Sequence, residues 1–234
     1  MTEREQIEQE VHMKYRASVT QMLADEKKKK LENYRQMNVY IHRGKTLFTG
    51  SSLMENFPIM EFCMNEGFPV VYNRGIGGYT SDEFLAAIDT VLLDLQPAKL
   101  FINIGTNDIG PRNDGESWFE HWLRNERRIC EIIKEKLPQT LVYLMAYYPV
   151  NANAPLADRN PGMKVRTNEN IAIANRRLAE LAAEFGFLYI DVNDGLKDAK
   201  GNLQIEHTQD GIHFDVAAYR TVFERLKPYL EQRD

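Results

Sequence analysis

From residue 45 onward the chain alternates short apolar runs with helical patterns, and no other feature restricts its fold as strongly. The runs fall at 45–49, 70–73, 99–104, 141–146 and 187–192. They are rich in β-branched and aromatic residues and nearly continuous in hydrophobicity, as strands covered on both faces are. Helical patterns lie between them. Thr80 and Glu83 have the spacing of a capping box, opening a helix expected to run to about Leu95. A second helical pattern covers roughly 116–136. Ile171, Ala174, Leu178, Leu181 and Phe185 share one face of a third, and Asp215 is placed to cap a last helix that ends near Leu230. Five strands alternating with helices predict an α/β fold: a three-layer α/β/α sandwich around a parallel sheet.

Residues 1–43 contain neither glycine nor proline, and Ile7, Val11, Tyr15, Val19 and Met22 recur at helical spacing. This predicts one long amphipathic helix or two, an N-terminal extension (1–43) preceding a domain over 44–234. Its apolar stripe needs a cover, either its own domain or a second copy of the chain, so a homodimer through this arm is an expectation. The charge run Lys27 to Lys30 reads as a solvated helix face rather than an anion-binding patch. The net charge of −5 gives nucleic acid nothing to bind and disfavours an anionic membrane surface. No run approaches transmembrane length, and the charged N-terminus lacks the apolar stretch of a secretory signal, so a cytoplasmic protein without stable membrane insertion is expected. Cys63 and Cys130 match no metal or redox spacing and fall in helical patterns, as packed, reduced thiols do.

In an open parallel sheet, ligands bind at the carboxyl ends of the strands, where the strand order reverses. After the first strand comes Gly50-Ser51-Ser52-Leu53, a serine at a strand-to-helix turn whose free amides favour developing negative charge. By itself this is also an ordinary helix cap. After the second comes Asn73-Arg74-Gly75-Ile76-Gly77-Gly78. Its glycines allow close backbone approach, but the spacing is not that of a dinucleotide loop and the lysine of a P-loop is missing. After the third comes Gly105-Thr106-Asn107-Asp108, where Asn107 is either a turn residue or an amide donor. After the fifth comes Asp210-Gly211-Ile212-His213, a spacing at which Asp210 can hold the His213 ring. Each signal is weak alone. Arriving from four strands at one edge, they supply a nucleophile, a base with its orienter, and oxyanion donors.

These blocks resemble those of the SGNH/GDSL hydrolases, in family order and over roughly residues 45–230. Their spacing is similar to the small single-domain branch that includes platelet-activating-factor acetylhydrolase catalytic subunits and bacterial acetylesterases. The resemblance implies a flavodoxin-like five-stranded sheet of order 2-1-3-4-5. It also implies Ser52 as nucleophile, Asp210 and His213 as its partners, and Ser52, Gly78 and Asn107 as the oxyanion hole, with no metal and no organic cofactor. One departure is Ser51, which stands where the family usually has Asp. The expected reaction is hydrolysis of a carboxylic ester, with a short acyl group such as acetyl on a sugar or other polar alcohol, through an acyl-enzyme. A lysophospholipase, a thioesterase or an acyltransferase would use the same residues. A non-catalytic ligand-binding protein on this fold would have no need of the full set, and a flavodoxin-like nucleotide binder leaves the Asp210–His213 pair unexplained. The long stretch after the fourth strand, from Tyr147 to Gly162, emerges at the same edge and is expected to shape the pocket, with Tyr147, Tyr148 and Ser51 as candidate substrate contacts.

Overall fold

The computed structural model describes residues 3–232, with side chains over 8–232, so the side chain of Ile7 lies outside the described residues. Five strands, β1 (Thr46–Gly50), β2 (Val71–Asn73), β3 (Lys99–Asn103), β4 (Leu141–Met145) and β5 (Leu188–Ile190), form one sheet in the order β2-β1-β3-β4-β5. Every pairing is parallel. The helices, in chain order, are α1 (Glu3–Met37), α2 (Ser52–Glu55), α3 (Ile59–Asn65), α4 (Ser81–Ala86), α5 (Ile88–Val91), α6 (Trp118–Lys136), α7 (Asn168–Phe185) and α8 (Val216–Glu231). The expected α/β/α sandwich is the fold.

Alternation along the strands divides the core in two. Leu47, Leu100, Ile102, Val142 and Leu144 face a layer built from α4 to α7, and Phe48, Phe101, Tyr143 and Met145 face one built from α2, α3 and α8. Across the second face Phe48, Phe101 and Tyr143 occupy matching register positions. Their rings stack at 4.5 Å, with interplanar angles of 4° and 8°. This aromatic ladder ties the three central strands together at their buried middle. Cys63 and Cys130 are buried, free thiols, and burial raises the Cys63 thiol to about 11.

One expectation needs correction. The helix opened by the Thr80–Glu83 capping box does not run unbroken to Leu95. It gives way to α5 and then to a 3₁₀ turn over Leu93–Leu95, with Ala87 and Leu92 outside helical geometry. The Asn38 side chain donates 2.8 Å to the Thr90 carbonyl, which in a continuous helix would accept from Asp94. The N-terminal extension is a single helix of 35 residues, but its own domain does not cover its apolar stripe. Leu31 and Tyr34 pack on the core, whereas Val11, Tyr15 and Met22 are 62%, 68% and 54% exposed. Among the described residues, only those in the second half of α1 lie against the sheet domain. Among the described residues, no helix is long and apolar enough to cross a membrane.

Glu126 of α6 is buried at 3% exposure beside Tyr147, whose hydroxyl lies 3.5 Å from its carboxyl. Burial pushes that carboxyl well above the usual range, with the nearby Asp108 adding to the effect. The folded protein therefore holds a proton that the unfolded chain releases, and stability falls as pH rises from the ordinary carboxylate value toward the raised one. Glu126→Gln should remove this dependence. Melting curves are expected to show a Tm close to that of the parent at about pH 4, and at about pH 8 a Tm raised by about 2–4 °C, the shift that ~1 kcal/mol produces in a chain of this size.

Candidate active site

The order of the sheet reverses at β1, which has β2 on one side and β3 on the other, and the crevice at its carboxyl end is where the candidate residues gather. Gly50 ends β1 with φ +150°, and a Cβ there would stand 2.0 Å from the Asn103 carbonyl oxygen. Only glycine lets the chain leave the sheet so close to β3. Ser51 then holds the N-cap position of α2 without a side-chain cap bond, and Ser52 is the first residue of the helix, so the Ser52 amide has no acceptor within it.

Ser52 Oγ lies 2.9 Å from His213 Nε2, and His213 Nδ1 lies 2.6 Å from Asp210 Oδ2. The other oxygen of Asp210 accepts from the amides of His213 (2.9 Å) and Ile212 (3.0 Å), and Asn160 donates to Oδ2 at 2.9 Å. Burial acts to raise the Asp210 carboxyl, but the bonds from the His213 amide, the His213 ring and the Ile212 amide outweigh it, and the net shift is downward. Asp210 therefore stays ionised below the usual carboxylate range. Its stabilising contribution is lost only as pH falls through that lowered value. An ionised carboxylate only accepts, so Nδ1 carries the ring proton and Nε2 of the neutral ring presents its lone pair to Ser52.

The other two predicted donors follow β2 and β3 at the same edge of the sheet. In the glycine loop after β2, the amides of Gly75, Ile76, Gly77 and Tyr79 each bond within the protein. The Gly78 amide has no acceptor among the described residues. Asn107 sits in a 3₁₀ turn after β3. One of its amide protons is bound to the Tyr79 carbonyl at 2.9 Å, and its oxygen accepts from Arg166 at 2.7 Å. That leaves the second amide proton for a ligand. Arg166 is buried, and burial lowers its guanidinium to about 10, still cationic at neutral pH.

Ser52 and Gly78 line a cleft of about 650 Å³, which is walled on one side by Thr20, Leu23 and Ala24 of α1. Asn107 and Thr80 line an adjoining cleft of similar volume, about 650 Å³, bordered by Arg112, Asn113, Asp114 and Lys164.

Three expected substrate contacts are not brought to either cleft. Tyr147 is 1% exposed, accepting from Trp122 and donating to the Ile104 carbonyl, and Tyr148 is 3% exposed in the opposite core. Ser51 is 2% exposed, its amide bonded to the Asn103 carbonyl. The long loop after β4 does reach the site, but through its later part: Asn160 on Asp210, Arg166 on Asn107, and Lys164 at the cleft. Hydrophobic patterning carries no signal for Asn160 or Arg166, since both act through contacts between distant segments. Asn73 was legible only as part of a block. Its side chain binds the Met54 carbonyl at 2.6 Å and accepts from Gly75, joining the serine turn to the glycine loop. Asp82, Asp108 and His121 offer atoms within 4.8 Å of one another, the spacing of metal ligands. Asp108 is already bound by the Ser81 amide and hydroxyl, and Asp82 by Asn125.

The sequence model of the GDSL-like Lipase/Acylhydrolase family matches residues 57–221. A solved Streptococcus pneumoniae protein, described as a candidate platelet activating factor, superposes with a TM-score of 0.83 at 30% identity, covering 93% of this chain and 99% of that one. The isoamyl acetate-hydrolyzing esterase of Saccharomyces cerevisiae is 24% identical over 176 residues, 69% of this chain and 68% of its own length. An N-acylneuraminate cytidylyltransferase of Escherichia coli is 32% identical over 155 residues, and the chain spans only 33% of that longer protein.

The matched segment contains Gly78, Asn107, Asp210 and His213 but begins after Ser52. The place of Ser52 thus rests on the β1–α2 turn, and that turn rests on Gly50. Gly50→Ala must push a methyl group into backbone of β3. It is expected to destabilise the fold by ~4 kcal/mol or more, an exceptional cost for one methyl, readable as a fall in the urea midpoint.

Proposed function

As a member of the GDSL-like lipase/acylhydrolase family the chain is an ester-hydrolysing enzyme, and we propose that it works through Ser52, His213 and Asp210. The observation that carries this reading is the unbroken line from Ser52 Oγ to His213 Nε2 (2.9 Å) and from His213 Nδ1 to Asp210 (2.6 Å). His213 Nε2 takes the Ser52 proton as Oγ bonds to the ester carbonyl carbon. Asp210 holds the ring and stabilises the imidazolium. The carbonyl oxygen becomes an oxyanion facing the amides of Ser52 and Gly78 and the free Asn107 amide proton. As the tetrahedral adduct collapses, the bond to the alcohol oxygen breaks and His213 gives that oxygen the proton. Water then loses a proton to Nε2 and attacks the acyl-enzyme, and Ser52 Oγ leaves and regains the proton, releasing a carboxylic acid.

The substrate is a short acyl ester, acetate in the simplest case, of a sugar or other polar alcohol. The yeast relative is named for hydrolysing an acetate ester. The cleft beyond Asn107 is bordered by Thr80, Asp82, Arg112 and Lys164, which can bond the hydroxyl groups of such an alcohol, beside the apolar Ile109 and Val165. On p-nitrophenyl esters of rising chain length, kcat/KM is expected to be highest for acetate and to fall by octanoate.

Ser52→Ala is expected to abolish acyl-enzyme formation, and intact turnover in that variant rules the mechanism out. Asn107→Ala should lower kcat by about 100–1,000-fold, the usual cost of one oxyanion donor.

A further inference from the structure

We infer that α1 is part of the catalytic apparatus, with Lys27 and Lys30 as positioning residues that hold the oxyanion peptide in place. The inference rests on the reading of Gly78 as an oxyanion donor. Four residues on one face of α1 and the turn after it meet the loop that follows β2. Lys27 Nζ donates 2.8 Å to the Gly78 carbonyl. Lys30 pairs with Glu55, which accepts from the Gly77 amide. Tyr34 donates 2.9 Å to the Gly75 carbonyl, and Asn38 accepts from Arg74 Nε at 3.0 Å. Positions 27, 30, 34 and 38 follow the three- and four-residue spacing of a single helix face.

Two of these contacts bracket the group that matters. The N–H of Gly78 belongs to the peptide between Gly77 and Gly78. The Gly77 amide on one side of that peptide is held by Glu55, and the Gly78 carbonyl on the other side by Lys27. Both residues are glycines, whose backbone rotates more freely than that of any other residue, so an untethered loop would sample many directions for this N–H. Lys27 also bonds both oxygens of Glu83 at 2.8 and 2.9 Å, and Glu83 accepts from the Thr80 amide at 2.9 Å. The same lysine thereby anchors the segment whose Tyr79 carbonyl holds Asn107. An oxyanion donor works only if it points at the developing charge before the reaction, and α1 supplies that alignment from outside the sheet domain. The charge run is thus split in function: Lys27 and Lys30 face the loop, and Lys28 and Lys29 are exposed.

The test measures kcat and KM on p-nitrophenyl acetate for Lys27→Met, Lys27→Arg, Lys30→Met and Ser52→Ala, below the melting temperature of each. Lys27→Met should lower kcat by about 10–50-fold, less than outright loss of a donor, with KM changed under about 2-fold. Lys27→Arg, which keeps a cationic donor, should recover most of kcat. Lys30→Met should show a smaller fall of the same kind. A wild-type kcat in folded Lys27→Met overturns the inference. If that variant does not fold, a wild-type kcat in Lys30→Met overturns it instead. Activity retained by Ser52→Ala removes the underlying reading of the site. An inactive Ser52→Ala beside an unaffected Lys27→Met removes only the role of α1.

Discussion

The position of β1 inside the sheet governs everything at the site. With β2 on one side and β3 on the other, its carboxyl end opens onto the crevice where the chain order reverses. Ser52 follows β1, Gly78 follows β2 and Asn107 follows β3, so three segments far apart in sequence end at the same edge of the sheet. The stacked rings of Phe48, Phe101 and Tyr143 hold these strands in register from below. The site above them can therefore be built from short turns, because the strands that deliver those turns do not shift.

A second set of residues holds these side chains and loops in place. Asp210 is held by two backbone amides and by Asn160, Asn107 by Arg166 and the Tyr79 carbonyl, and the glycine loop by Asn73, Glu55 and α1. Hydrogen bonds of this kind contribute modestly to stability. Their larger effect is to restrict each held group to one orientation, as the proposed mechanism requires of its donors. Arg166 is buried with no carboxylate bonded to it among the described residues. Its charge is met by the Thr106 carbonyl and the Asn107 amide oxygen.

Much of this was legible in the residue order. Hydrophobic runs located all five strands to within a residue or two of their observed bounds, since a strand buried on both faces must be apolar throughout. The Thr80–Glu83 box and the Asp215 cap were readable because a cap is a local bond between residues three apart. The departure from helix at Leu92 was not, because the Thr90 carbonyl beside it is taken by Asn38, more than fifty residues away. Tyr147 and Tyr148 follow β4 at the catalytic edge and were expected in the pocket. Instead the strand's alternation inverts after Met145: Tyr147 is buried in the layer of Val142 and Leu144, and Tyr148 in that of Tyr143 and Met145. The Lys27 to Lys30 run looked like a solvated face because its acidic partners, Glu55 and Glu83, belong to segments that only the fold brings alongside.

The sequence by itself determined the layered architecture, the order of the four blocks and the chemical types at the site. These follow from local periodicity, from turns that demand glycine, and from residues a few positions apart, such as Asp210 and His213. Tertiary structure alone decided which side chains hold those residues in place and what walls the cleft. Asn160, Arg166 and the second half of α1 reach the site through contacts between segments distant in the chain. Such contacts leave no periodic trace, because each depends on the distance between two elements rather than on the spacing within either one.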